Sequence, residues 1–307
     1  MKKMNYLLPL ILLLISLLLF SGCKSEKSVD SSDEPPVFSP LQALVPIADG
    51  TEVIGNTPLN LDISNYTQGY MIAESTSTDS KLNIQLTGPD NAVYSSFLEP
   101  EETAVIPFTS GNGTYQLLCY QQISADKYAA LFSEILEVSL DNQFLPFLYP
   151  NQYVDFSPDS EAVKLALSMM PEDTSDIDAL SIIYSYVTEN ITYDYEKAES
   201  VENGYLPDID DTLNTKTGIC FDYAALMTAM LRTRGIPCKL QIGYSSDLKH
   251  AWIDVYIRSK GWVNQAIAFD GETWTLMDPT FEASSRSTEE LVEYIGDGSF
   301  YTVQFSR

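Results

Sequence analysis

Near Phe156 the hydrophobic pattern of this chain changes period, and that change restricts it to two unlike folding units. Upstream, short apolar and aromatic runs cover Gly69 to Ala73, Lys81 to Leu86, Ala92 to Phe97, Ala104 to Phe108 and Thr114 to Gln121. Gly88-Pro89-Asp90-Asn91 and Ser110-Gly111-Asn112-Gly113 punctuate them as turns. Runs of that length and spacing predict strands of an antiparallel sandwich over residues 44–148. Tyr128 to Leu140 fits a strand or a helix equally. No catalytic constellation falls in this half, so it reads as a spacer or as a module that presents substrate.

Downstream, in residues 149–307, helical spacing takes over. Ser157-Pro158 predicts the cap and first turn of a helix to Met170, and Ser175 or Asp176 the cap of a second helix to about Asn190. Ile177, Leu180, Tyr184, Val187 and Ile191 form one apolar stripe on that second helix and are expected in the core. Ile191 to Tyr195 reads as a short extended segment. Ser200 to Lys216 reads as an irregular acidic loop with Asp208, Asp210 and Asp211; it lacks the glycine and glutamate spacing of an EF-hand, so solvation is favoured over calcium binding. Ala224 to Arg234 predicts a helix ended by Gly235 and barred from continuing by Pro237. Four strand-like runs follow: Lys239 to Tyr244, His250 to Ile257, Trp262 to Ala268 and Thr273 to Met277.

The chemistry concentrates between Gly218 and Thr280, which hold the sole histidine, His250, and all three tryptophans, Trp252, Trp262 and Trp274. Cys220 is placed in the first turn of the predicted helix, where free N–H groups and the helix dipole favour a thiolate and could bind an oxyanion. His250 opens a strand and Asp278 closes a later one, so neighbouring antiparallel strands can bring them together. A cysteine, a histidine and an aspartate suit a nucleophile, its base and the group orienting the base. The tryptophans read as core or cleft wall. One histidine and scattered cysteines do not supply zinc spacing, and nucleotide-loop and serine-elbow motifs are missing; no metal and no cofactor is expected.

Gly218-Ile219-Cys220-Phe221-Asp222-Tyr223-Ala224, the Gly235-Ile236-Pro237 turn, Gly243-Tyr244, His250-Ala251-Trp252, Gly261-Trp262 and Asp278-Pro279-Thr280 resemble the transglutaminase-like superfamily, related in architecture to papain-like cysteine proteases. The resemblance runs from about Asp176 to Phe281. It implies an α+β core, with a cysteine-bearing helix packed on an antiparallel sheet, preceded here by the all-β sandwich. It also implies Cys220 as nucleophile, His250 as general base and acid, and Asp278 as orienting carboxylate. Asp222 is read as favouring the helix N-terminus. Tyr193 and Tyr195 are candidates for a further oxyanion side chain. Segment Lys81 to Tyr94 with Gly113-Thr114-Tyr115 is similar to immunoglobulin-like modules, without their inter-sheet cysteine pair. The expected activity is thiol-dependent acyl transfer at amide bonds through a thioester, with hydrolysis preferred. Crosslinking of proteins to an amine and a non-catalytic peptide-binding module stay open.

The first 22 residues differ in kind: Lys2 and Lys3 precede an apolar run, Tyr6 to Phe20, shorter than the roughly 20 residues that span a bilayer. This reads as an export signal, and Phe20-Ser21-Gly22-Cys23 resembles the lipobox in which the cysteine is lipidated, with a plain signal peptide or an uncleaved anchor as the alternative. Residues 23–43, polar and proline-rich, are expected to be a disordered tether. The protein is therefore expected on the outer face of the cell membrane, held by lipid at Cys23, acting on a protein or peptide of the cell envelope. A net charge of -26 argues against nucleic acid as a partner. With Cys23 lipidated, Cys119, Cys220 and Cys238 remain, an odd number that leaves a free thiol, for which Cys220 is the candidate; a Cys119–Cys238 disulfide would have to join the two units. Mass spectrometry of protein taken from its own membrane should find a chain starting at acylated Cys23; a retained Met1–Gly22 segment would refute the lipobox.

Overall fold

The computed structural model describes residues 34–125, 127–202, 204–245, 248–264, 267–269, 274–276 and 301–307. The architecture is α+β. The N-terminal half forms β1 (Val53–Ile54), β2 (Leu59–Asp62), β3 (Tyr70–Ser75), β4 (Leu82–Thr87), β5 (Val93–Leu98), β6 (Thr103–Pro107), β7 (Gly113–Ser124) and β8 (Lys127–Val138). These make two four-stranded antiparallel sheets, ordered β1-β2-β3-β6 and β5-β4-β7-β8. Alternation explains the sandwich: Leu82, Ile84 and Leu86 of β4 and Tyr115, Leu117 and Cys119 of β7 share one core with Leu59, Leu61, Met71 and Ile106 of the other sheet. Tyr128 to Leu140 resolves as strand, because β8 pairs along nearly the whole of β7. Cys119 is buried and free, as is Cys238 in the other half, so the disulfide considered from sequence does not form.

The C-terminal half is built around one helix. Its elements are α1 (Glu161–Ser168), α2 (Asp176–Asn190), β9 (Thr192–Tyr193), α3 (Tyr195–Ser200), α4 (Ile209–Thr215), β10 (Thr217–Gly218), α5 (Cys220–Thr233), β11 (Cys238–Ser245), β12 (Leu248–Ile257), β13 (Gly261–Val263), β14 (Ile267–Phe269), β15 (Trp274–Leu276) and β16 (Tyr301–Ser306). Every residue of α5 from Asp222 to Thr233 is buried. It packs against α1, α2 and α4 on one side and the β11–β12 sheet on the other. Leu180, Tyr184, Val187 and Ile191 of the α2 stripe lie in this core, with Ile177 packed at its margin.

Four expectations change. The first helix starts at Glu161, not at Pro158, because the Asp210 carboxylate reaches from α4 to accept the N–H groups of Glu161 and Ala162, both at 3.0 Å. The acidic loop contains α4, whose N-cap Asp208 accepts from Asp210 N and Asp211 N at 3.0 and 2.9 Å; acids at consecutive first-turn positions favour a helix start as well as a loop. Trp262 to Ala268 divides between β13, which joins β12, and β14, which forms a hairpin with β15. The expected tether is also shorter than residues 23–43. From Glu34 onward it lies on the protein, with the Arg258 guanidinium donating to the Pro35 and Pro36 carbonyls, both at 3.3 Å, and Asn142 donating to the Glu34 carbonyl at 2.8 Å.

Arg232 ties the C-terminal end of α5 to three other segments. Its guanidinium is buried and donates to the carbonyls of Tyr149 at 2.6 Å, Cys238 at 2.9 and 3.0 Å, and Arg307 at 2.9 Å. Burial opposes its charge and pulls the group down to about 10, so it is still a cation at neutral pH. Arg232→Met removes the donors to three buried carbonyls, of which Arg307 O keeps its bond from Leu240 N at 2.8 Å, and should cost about 3 kcal/mol or more in urea unfolding; a loss within about 0.5 kcal/mol would show that the network carries no stability.

Candidate thiol site

Cys220 is the first residue of α5 and is partly buried. Two local features set its backbone. The strand β10 just before it pairs in parallel with β9, matching Gly218 to Tyr193, and Asp194 N donates to Gly218 O at 2.9 Å. A Cβ on Gly218 would sit 2.7 Å from the Asp222 Cβ, so the turn into the helix needs a residue without a side chain there. Tyr223, one turn into α5, donates its hydroxyl to Ile191 O at 2.6 Å and anchors the helix to the end of α2.

Asp222 has a larger role than the one read from sequence. Its carboxylate is fully buried; Oδ2 accepts from Ile219 N and from Lys197 Nζ, both at 2.8 Å, and Oδ1 accepts from the Tyr205 hydroxyl at 2.5 Å. Lys197 Nζ also donates to the Tyr205 oxygen at 2.7 Å and lies 4.5 Å from the centre of that ring. Burial works against the Lys197 charge, but its bonds to Asp222 and Tyr205 prevail and raise it above an ordinary lysine. Burial first, and then the hydrogen bond to Asp222, push Tyr205 up to about 12. Sequence reasoning missed Lys197 and Tyr205. Both lie in segments of low periodicity, and no motif links them to position 222.

The chain reversal at Gly235, where φ is 72°, brings β11 back along α5. Fourteen helical residues rise about 21 Å, a distance a strand covers in about six residues. Gly243 is six positions into β11 and pairs with His250. Cys220 and His250 therefore lie at the same end of the module. Gly243 is required by close packing, since a Cβ there would fall 1.9 Å from Thr302 O of β16.

The imidazole is buried and stacks on Trp252, with ring centres 6.2 Å apart and planes at 20°. Ala251, Ile253, Val255 and Ile257 face the α5 core, so alternation puts His250, Trp252 and Asp254 on the other face of β12. On that face Gln241 donates to Asp254 Oδ2 at 2.6 Å. Trp262 instead packs edge-on against Phe147 and lies 4.0 Å from Lys239 Nζ. Tyr193 and Tyr195 are ring neighbours at 4.9 Å beside the Gly218 turn. Asp278 lies outside the described residues, as does the side chain of Trp274.

Lys197 and Tyr205 hold their protons more tightly when folded, so the stability they contribute is complete below their unfolded values near 10 and is lost as pH rises through the folded ones. Tyr205→Phe should therefore flatten the fall of stability between about pH 10 and 12, measured by urea midpoints; an unchanged slope would refute the assignment.

Residues 163–279 match the family model for the transglutaminase-like superfamily. The uncharacterized protein YebA of Bacillus subtilis (strain 168) is 25% identical over 157 residues, covering 42% of this chain and 20% of that protein. Kyphoscoliosis peptidase of Mus musculus is 26% identical over 131 residues, covering 38% and 18%. The chain spans about a fifth of the length of these relatives. Among solved structures, a candidate cysteine protease from Cytophaga hutchinsonii aligns at 16% identity over 69% of this chain and 74% of that one, with a TM-score of 0.36. Red sea bream transglutaminase aligns at 13% identity over 70% and 53%, with a TM-score of 0.29. Cys220, His250 and strands β11 to β13 fall inside the matched segment, so it is residues 163–279 of this chain that are similar to the transglutaminase-like superfamily.

Proposed function

We propose that this protein is an exported, lipid-anchored thiol hydrolase of amide bonds, with Cys220 as nucleophile, His250 as base and acid, and Asp278 orienting the imidazole. The observation that carries the reading is the position of Cys220 at the N-terminus of a buried helix, at the same end of the module as His250. His250 takes the Cys220 thiol proton, and the thiolate attacks the amide carbonyl carbon, forming the C–S bond and an oxyanion near the free N–H groups of the first turn. Collapse of that intermediate breaks the C–N bond, and the imidazolium of His250 gives its proton to the departing amine. Water then attacks the thioester as His250 takes its proton, and the carboxylic acid leaves with the thiol restored.

The name of the mouse relative, a peptidase, supports water as the acceptor. Replacing water by a primary amine gives the crosslinking reading on the same residues, and a non-catalytic groove would need none of them. The substrate class is a protein or peptide of the cell envelope. Cys23 lipidation would supply the membrane attachment, a reading that rests on Phe20-Ser21-Gly22-Cys23 after the apolar run Tyr6 to Phe20.

Incubating the full chain with an envelope peptide mixture and a labelled primary amine separates the readings: new peptide termini mean hydrolysis, and incorporated label means crosslinking. Cys220→Ala and His250→Ala should each lower turnover by about a thousandfold or more, and Asp278→Asn by about a hundredfold or more. Undiminished turnover in Cys220→Ala would end the thiol reading, and the absence of both products would favour the non-catalytic module.

A further inference from the structure

The buried cluster beneath Cys220 goes further than helix capping. A carboxylate at the N-terminus of a helix ordinarily improves capping, because it satisfies a free N–H and complements the dipole. Next to a nucleophilic thiol the same charge is a liability. The Asp222 carboxylate is bonded to Ile219 N, the amide immediately before Cys220, and its negative charge opposes a thiolate there. Asp222 is also fully buried, so water does not screen it.

Lys197 meets that liability directly. Its ammonium lies 2.8 Å from Asp222 Oδ2, and it is the basic residue that pairs with this carboxylate among the described residues. Tyr205 links the two, accepting from Lys197 and donating to Asp222. Both partners come from separate elements: Lys197 from α3, whose start is fixed by Asp194 accepting from Lys197 N at 2.9 Å, and Tyr205 from the segment before α4. The ring of Tyr205 also meets Phe221 edge-on, with centres 6.3 Å apart, so the cluster grips the residues on both sides of Cys220.

Resting on the thiol-enzyme reading, we infer that Lys197 and Tyr205 are positioning residues of the Cys220 site, neutralising the buried Asp222 carboxylate so that the capped N-terminus of α5 keeps a net positive field at the thiol. The flanking elements carry further titratable groups: Tyr193 of β9, Asp194, Tyr195, Glu196 and Glu199 at or in α3, Lys216 just before β10, and Lys249, His250, Asp254 and Tyr256 of β12. Asp194 is engaged in capping α3, and of the cations on these elements it is Lys197 whose ammonium contacts the Asp222 carboxylate.

The test is the pH dependence of Cys220 alkylation by iodoacetamide, followed on the Cys220 peptide by mass spectrometry of the full chain. Cys119 and Cys238 are buried, and burial pushes each thiol up to about 12, so they give little background. Lys197→Met should move the midpoint up by about one pH unit and slow alkylation at neutral pH about tenfold. Lys197→Arg should retain most of the wild-type profile. In Lys197→Met/Asp222→Asn the profile should return towards wild type, because asparagine still accepts from Ile219 N and the unpaired charge is gone. Tyr205→Phe, the mildest change, keeps the test open if Lys197→Met does not fold, and should slow alkylation about threefold in the same direction.

A merely structural role would lower the melting temperature and leave every midpoint in place, which would overturn the inference. So would a double variant as slow as Lys197→Met alone. If wild-type Cys220 itself reacts only as an ordinary exposed thiol, the thiol-enzyme reading and this inference fall together; if it is reactive and Lys197→Met matches it, only this inference falls.

Discussion

Burial of α5 from Asp222 to Thr233 is the constraint on which the rest of the C-terminal half depends. A helix covered on every side cannot send a charged group to water, yet α5 carries Asp222 near its start and Arg232 near its end. Each must find partners inside the protein, and those partners come from distant parts of the chain. Asp222 draws in Lys197, Tyr205 and the Ile219 amide. Arg232 draws in the carbonyls of Tyr149, Cys238 and Arg307. The helix is thereby fixed at both ends by ionic groups whose loss would leave a buried charge or orphaned acceptors. The thiol site uses one of these ends, and the joint with the sandwich uses the other.

That joint has its own logic. Arg307, almost wholly buried, places its guanidinium 4.5 Å from the ring centres of both Tyr94 in the sandwich and Tyr153 in the connecting segment. Tyr153 donates to Ser95 O at 2.8 Å and Gln152 to Phe97 O at 2.6 Å, so successive outward carbonyls of the β5 edge are occupied. An open strand edge is a site for unwanted pairing, and covering it also locks the sandwich to the module that carries Cys220. Tyr153 in turn lies 6.4 Å from the ring of Phe221, the residue after the cysteine. Thiol site, connecting segment and sandwich thus form one packed series.

Much of this was legible along the chain because it depends on short-range rules. The strands of the sandwich follow from period-two alternation, and α2 with its buried stripe from apolar spacing and the Ser175 cap. The start of α5 at Cys220 and its reversal at Gly235 follow from helix-ending chemistry. Errors came where a distant group decided a local outcome. The first helix begins late because Asp210, 48 positions downstream of Ala162, supplies its cap. The acidic segment folds as α4 because Ile209 and Leu213 have a core to enter. Pro35 and Pro36, in the segment expected as a tether, lie on the protein because Arg258 provides donors for their carbonyls.

The sequence alone therefore determined the order of the longer strands and helices, the two unlike halves and the candidate cysteine and histidine, since periodicity, capping and turn chemistry act over a few residues. Only the tertiary structure decided that Cys220 and His250 share one end of the module, because that follows from the rise of α5 matching the first six residues of the returning β11, up to Gly243, the partner of His250. It alone also revealed that Lys197 and Tyr205 belong to the thiol site. Lys197 precedes Asp222 by 25 positions and Tyr205 by 17, and what joins them is the need of a buried carboxylate for partners, which no local pattern records.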